Sequence, residues 1–131
     1  MKPRQWLISG VTGVLALTLW SCGGGSPMNP TPPDNTPVET TTITITSAGV
    51  SPRSIIVNAG AKVTFVNNDS QTHEPSSNPH PSHTQCPELN IGSLGAGQTR
   101  ESGAMVGGRT CGFHDHLNAS NGAMQGSIQV R

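Results

Sequence analysis

The chain of 131 residues carries seven basic and seven acidic side chains, so its formal net charge is zero; 32% of it is hydrophobic but only 3% aromatic. That balance excludes a basic nucleic-acid binder, and the length allows one domain at most. No G-x-S-x-G, Walker A or G-x-G-x-x-G pattern occurs, so hydrolase, nucleotide and dinucleotide chemistry find no support.

Lys2 and Arg4 precede an apolar stretch from Trp6 to Trp20. A cationic start followed by about fifteen apolar residues reads as an export signal over residues 1–21. It falls short of the roughly twenty residues a membrane span needs. Leu19-Trp20-Ser21-Cys22-Gly23 resembles a bacterial lipobox. That resemblance implies a lipid-modified Cys22 as the first mature residue. The expected product is an exported lipoprotein, anchored to a membrane and either periplasmic or on the cell surface. Residues 22–39 read as a linker, with five prolines and three glycines between Gly23 and Pro37 and almost nothing apolar. Such a segment cannot bury enough surface to offset its ordering entropy, and its prolines keep it extended.

Residues 40–131 are the expected folded domain. Thr42-Ile43-Thr44-Ile45-Thr46 alternates polar and apolar β-branched residues, which predicts a strand. Ser54–Val57 and Lys62–Val66 predict a second and third strand around the Ala59-Gly60 turn, and Asn67-Asn68-Asp69 closes the run with turn formers. Leu94–Gln98 is a further turn, and Gly126–Val130 predicts a terminal strand. No stretch has a period near 3.6. The expected class is therefore all-β, a small Greek-key β-sandwich. Its core is thin: Phe65 and Phe113 are the only aromatics after the signal, so a metal or a disulfide is expected to brace it.

All five histidines, and the two cysteines other than Cys22, fall in two short segments. One runs from His73 through His80 and His83 to Cys86; the other is Cys111-Gly112-Phe113-His114-Asp115-His116. Imidazole and thiolate concentrated in this way point to a metal.

The order Gly49-Val50-Ser51-Pro52, Ile55-Ile56-Val57, Val63–Asp69 and His73 resembles the first half of a cupredoxin, the family of plastocyanin and azurin. Cys111-x2-His114 ahead of Met124-Gln125-Gly126 and a last strand resembles the second half. The resemblance spans residues 40–131 and implies one copper ion, cycling between Cu+ and Cu2+. His73, Cys111 and His114 would be its ligands, with Met124 axial. The implied role is a one-electron carrier, not an enzyme, with redox proteins or copper donors and acceptors as partners and a monomeric state.

Several assignments stay open at this stage. His116 competes with His114 as the second imidazole. Leu117 stands where short-loop relatives carry the axial methionine. His80, His83 and Cys86 form a possible second site for zinc or Cu(I). Glu74 and Asp115 are candidates to orient ligand imidazoles. A Cys86–Cys111 disulfide, ordinary in an exported protein, would consume the thiolate. The imidazoles left over could then still hold copper or zinc, but not as a blue site. Two further readings follow: a copper or zinc tolerance or delivery protein using the surplus histidines, and a metal-free module held by the disulfide.

Overall fold

A computed structural model describes residues 35–131. The export signal, Cys22 and the linker before Asn35 lie outside the described residues. The first strand, β1 (Val38–Glu39), begins inside the span read as linker, because its backbone pairs in parallel with Ile55 and Ile56. In β2 (Thr42–Thr46), Ile43 and Ile45 are buried and the threonines between them are not. That alternation is what one buried sheet face demands. The strands β3 (Gly49–Ser51), β4 (Ser54–Val57) and β5 (Thr64–Asn67) follow, and β4 has the predicted bounds. β6 (Pro75–Ser77) and β7 (Thr99–Glu101) are short, and neither carries an alternating apolar pattern to signal it.

β8 (Arg109–Asp115) corrects the sequence reading most. The Cys111–His116 segment, read from sequence as clustered ligands and not as a strand, lies in the longest strand as far as Asp115, and a 3-10 turn follows at His116–Asn118. Cys111, Phe113 and Asp115 alternate along one face of β8; Gly112 and His114 occupy the other. β9 (Gly126–Val130) closes the chain as predicted. Two further 3-10 turns, Pro87–Leu89 and Gly122–Met124, complete the elements, and there is no α-helix among the described residues.

The strands make two mixed sheets, β1-β4-β9-β8-β6 and β3-β2-β5-β7. Their facing sides enclose Ile43, Ile45, Val63 and Phe65 from one sheet region and Ile55, Cys111, Phe113 and Ile128 from the other. Phe65 and Phe113 meet edge to face with ring centroids 5.5 Å apart, joining the sheets at the centre. Gly126 has to be glycine there: a Cβ on it would stand 2.5 Å from Cζ of Phe113 and 2.4 Å from the Arg53 carbonyl oxygen. The fold is a β-sandwich whose β6 and β8 carry the chemistry-bearing segments to one end of the larger sheet.

Candidate metal centre

β6 and β8 pair antiparallel with Ser76 opposite His114 and Ser77 opposite Phe113. The chain leaving β6 at Asn78 crosses β8 and returns at Cys86. Backbone and side-chain bonds hold both ends of this loop. The Asn78 amide donates to the Gly112 carbonyl (3.0 Å), the Gln85 amide donates to the Asn78 carbonyl (2.9 Å), and the Gly112 amide donates to Gln85 Oε1 (2.9 Å). Cys86 is joined to Cys111 by a disulfide, with both residues fully buried. Arg109 and Glu88 form an ion pair beside it.

This loop brings His80 and His83 over His114 and His116. One ring nitrogen from each of the four lies within 4.8 Å of all the others. The rings of His80 and His116 are 5.0 Å apart between centroids, those of His83 and His114 5.1 Å, and those of His83 and His116 4.7 Å. His83 is in the left-handed region at φ 50°, a costly backbone for a residue with a side chain. Two bonds hold it there: its amide donates to the Pro79 carbonyl (2.8 Å) and its carbonyl accepts from Asn90 Nδ2 (2.9 Å). Neither feature has a sequence signal.

Two of the four imidazoles, His83 and His114, are suited to a metal by their protonation as well as their position. Burial disfavours charge on His114, and the neighbouring His83, His80 and His116 disfavour it further, so its pKa falls below the ordinary value. His83 is lowered in the same way, by burial and then by His116 and His80. Neutral rings present lone pairs. His114 Nε2 is buried with no hydrogen-bond partner in the protein, while Nδ1 of the same ring lies 2.7 Å from Asn78 Oδ1. A buried acceptor with nothing to accept costs free energy. A metal ion bound among these rings removes that cost. His116 Nδ1 and His83 Nε2 lie 3.1 Å apart, within hydrogen-bond distance of each other inside the same cluster. Bonds of about 2.0 Å to one tetrahedral ion set the nitrogens about 3.3 Å apart. An all-imidazole set suits copper, zinc or nickel.

The expected set of His73, Cys111, His114 and Met124 is divided differently. Cys111 offers no thiolate while its sulfur is bonded to Cys86, and Cys86 is likewise spent. His73, His114 and Met124 do line one narrow void between the sheets, with Phe113 and Asp115 beside them. Met124, however, is a buried core side chain, and the ring nitrogens of His73 are both taken. His73 Nδ1 lies 2.9 Å from Asp115 Oδ2, and its Nε2 lies 3.0 Å from Asp69 Oδ2. What meets His73 at the end of β8 is Asp115, four residues beyond Cys111. Asp115 therefore orients no ligand ring directly. Its other oxygen accepts from the amides of Glu74 (2.8 Å) and Leu117 (3.2 Å), which fixes the turn that aims His116. Glu74 contributes its carbonyl, accepting from the His116 amide (2.9 Å). Leu117 is exposed and borders a surface pocket with His73, Asp115 and Met124, apart from the four-histidine cluster. Asn78, Asp69 and the role of Asp115 went unread in the sequence, since an Asn among prolines and an Asp in a turn look like ordinary loop residues.

Both nitrogens of His73 point at carboxylates, an arrangement that favours the doubly protonated, charged ring. Burial opposes that charge, but the bonds to Asp115 and Asp69 outweigh it and raise the pKa above its ordinary value of 6.5. The bond from His73 in turn holds the Asp69 carboxyl below the usual carboxylate range. A group whose pKa is raised on folding stabilises the folded state fully below its unfolded value, and that stabilisation is lost as pH climbs through the folded one. Melting temperature should therefore decline with pH on the alkaline side of 6.5, and His73→Gln should flatten that decline. Identical slopes for both proteins in thermal melts would show the ring to be neutral. On the acid side, the contribution of Asp69 is lost only as pH drops through its lowered value.

Comparison with known proteins agrees with this architecture. No family model matches the chain, and no curated protein matches it in sequence. Among solved structures it is similar to a purple cupredoxin from Nitrosopumilus maritimus at 20% identity and a TM-score of 0.57, over 70% of this chain and 100% of that one. It is similar to the oxidised form of plastocyanin from Dryopteris crassirhizoma at 19% identity and a TM-score of 0.54, over 69% of this chain and 99% of that one. A copper-containing nitrite reductase from Thermus scotoductus also matches, at 19% identity and a TM-score of 0.56, over 76% of this chain and 26% of the enzyme. The chain has the cupredoxin fold. That fold is found both in small proteins and within an enzyme, so the site must decide the function.

Proposed function

We propose that this protein binds one copper ion through His80, His83, His114 and His116 and passes single electrons by cycling it between Cu2+ and Cu+. The observation that carries the reading is the convergence of four imidazole nitrogens, one of them buried and unpartnered, on a disulfide-braced loop of a cupredoxin fold. Copper is preferred over the other metals that imidazole suits because a structure of the same fold, the nitrite reductase, is copper-containing. The copper supplies the electron chemistry. His114 on β8 and His116 just beyond it form the rigid half of the site, and His80 and His83 cover them from the loop. The exposed edge of His80 is where a redox partner would approach. In this reading the protein makes and breaks no covalent bond of a substrate. We further propose that export and a lipid anchor at Cys22 place it at a membrane, with a redox protein or a copper donor as partner.

A second reading is copper or zinc hand-over, favoured by one observation: two of the four imidazoles, His80 and His83, sit on a single surface loop. Such a metal leaves more readily than one held wholly from strands.

The test is to titrate Cu2+ into the oxidised protein and record visible and electron paramagnetic resonance spectra. The expected signature is one tightly bound Cu2+ with weak ligand-field bands and no intense thiolate-to-copper band. His114→Ala should remove it. An intense charge-transfer band lost in Cys111→Ser would overturn the four-histidine reading in favour of a thiolate site. Electrochemical cycling that retains the metal supports electron carriage, while loss of metal to a chelator on each reduction supports hand-over.

A further inference from the structure

Resting on the four-histidine reading, we propose that Asn78 is the positioning residue of the site: its side-chain oxygen holds His114 in the tautomer that carries hydrogen on Nδ1, which leaves the Nε2 lone pair aimed at the metal. A neutral imidazole has one N–H and one lone pair, and which nitrogen carries the proton is set by what the other atoms offer it. Asn78 Oδ1 stands 2.7 Å from His114 Nδ1 and accepts that proton's hydrogen bond. The opposite tautomer would bury an N–H at Nε2 where the protein supplies no acceptor. One side of the ring thus decides the other.

The amide is itself held firmly. The Asn78 backbone donates to the Gly112 carbonyl and accepts from the Gln85 amide, so the residue is tied to β8 on one side and to the far end of the loop on the other. Its side chain lies over Gly112, where a Cβ would come within 2.3 Å of Asn78 Nδ2. The missing side chain at position 112 makes room for the amide that orients position 114. Partners of this kind commonly change metal affinity by about 10–100-fold when removed.

Asn78→Ala and Asn78→Asp separate positioning from mere structure. The alanine keeps both backbone bonds and removes the acceptor; the aspartate keeps an acceptor that cannot donate. Nitrogen-15 NMR of the metal-free proteins should show His114 protonated at Nδ1 in the wild type and in Asn78→Asp, and a mixture of tautomers in Asn78→Ala. Titration with Cu2+ should show affinity lower by about 10–100-fold in Asn78→Ala and restored in Asn78→Asp. An unchanged tautomer in Asn78→Ala, or an aspartate that behaves like the alanine, overturns the proposal. If the tautomers respond as expected but none of the three proteins binds Cu2+, the four-histidine reading falls while the control of the ring by Asn78 stands.

Discussion

Replacing Cys86 and Cys111 together by alanine should lower the stability of the domain by about 3 kcal/mol and weaken copper binding at least tenfold. The disulfide joins positions 25 residues apart, closing the chain from the end of the His80–His83 loop through β7 into β8. Opening it returns conformational freedom to the unfolded chain, which is the larger part of the expected loss. The two sulfurs are also fully buried in the core, so their removal leaves unfilled space between the sheets. The effect on copper has a separate cause. With Cys86 released, the loop is held to β8 by polar contacts only, those of Asn78 with Gly112 and His114 and of Gln85 with Gly112 and Arg109. Re-ordering even two residues to bring His80 and His83 over His114 costs about 1 kcal/mol each, more than a tenfold loss of affinity. Urea unfolding of the metal-free variant measures the first effect, and calorimetric Cu2+ titration measures the second. Full copper affinity in the variant would mean that the hydrogen bonds suffice to order the loop.

The second large effect is expected at Phe65. Phe65→Ala should cost about 3–5 kcal/mol, out of the roughly 5–15 kcal/mol that holds a small domain folded. The chain has two phenylalanines and no tyrosine, and these two rings form the one aromatic contact between the sheets. Edge-to-face packing adds about 0.5–1.5 kcal/mol beyond burial. The surrounding core is mainly isoleucine, valine, leucine and methionine, with no further aromatic ring besides Phe113 to fill the gap. Phe65→Leu should recover most of the loss. Both values come from urea midpoints under non-reducing conditions. A cost below about 1.5 kcal/mol, the range of volume-conserving swaps, would show that the two sheets close over the missing ring.

Much of the frame was legible in the residues. Thr42–Thr46 alternates strictly, and β4 and β9 carry β-branched runs between turn formers; each became the strand expected of it. β8 was misread because its inward residues are Cys111, Phe113 and Asp115. A cysteine and an aspartate on a core face break the apolar pattern by which a strand is recognised. The crowding of histidines singled out the two segments that the fold brings together, and all four members of the cluster were among the candidates. It did not sort them, because composition says which ligands are near in sequence and not which face of a strand each occupies.

The sequence by itself determined that this chain folds as a β-sandwich and concentrates its imidazoles in two segments, for both follow from local periodicity and composition. Only the tertiary structure decided how those imidazoles divide. β6 and β8 pair with Ser76 opposite His114, and the loop between Asn78 and Cys86 folds back across Gly112. That register turns Cys111 inward to Cys86 and Asp115 toward His73, and leaves His114 and His116 to meet His80 and His83. A strand's two faces differ by one residue in sequence, so a single step of register separates a thiolate ligand from a buried disulfide.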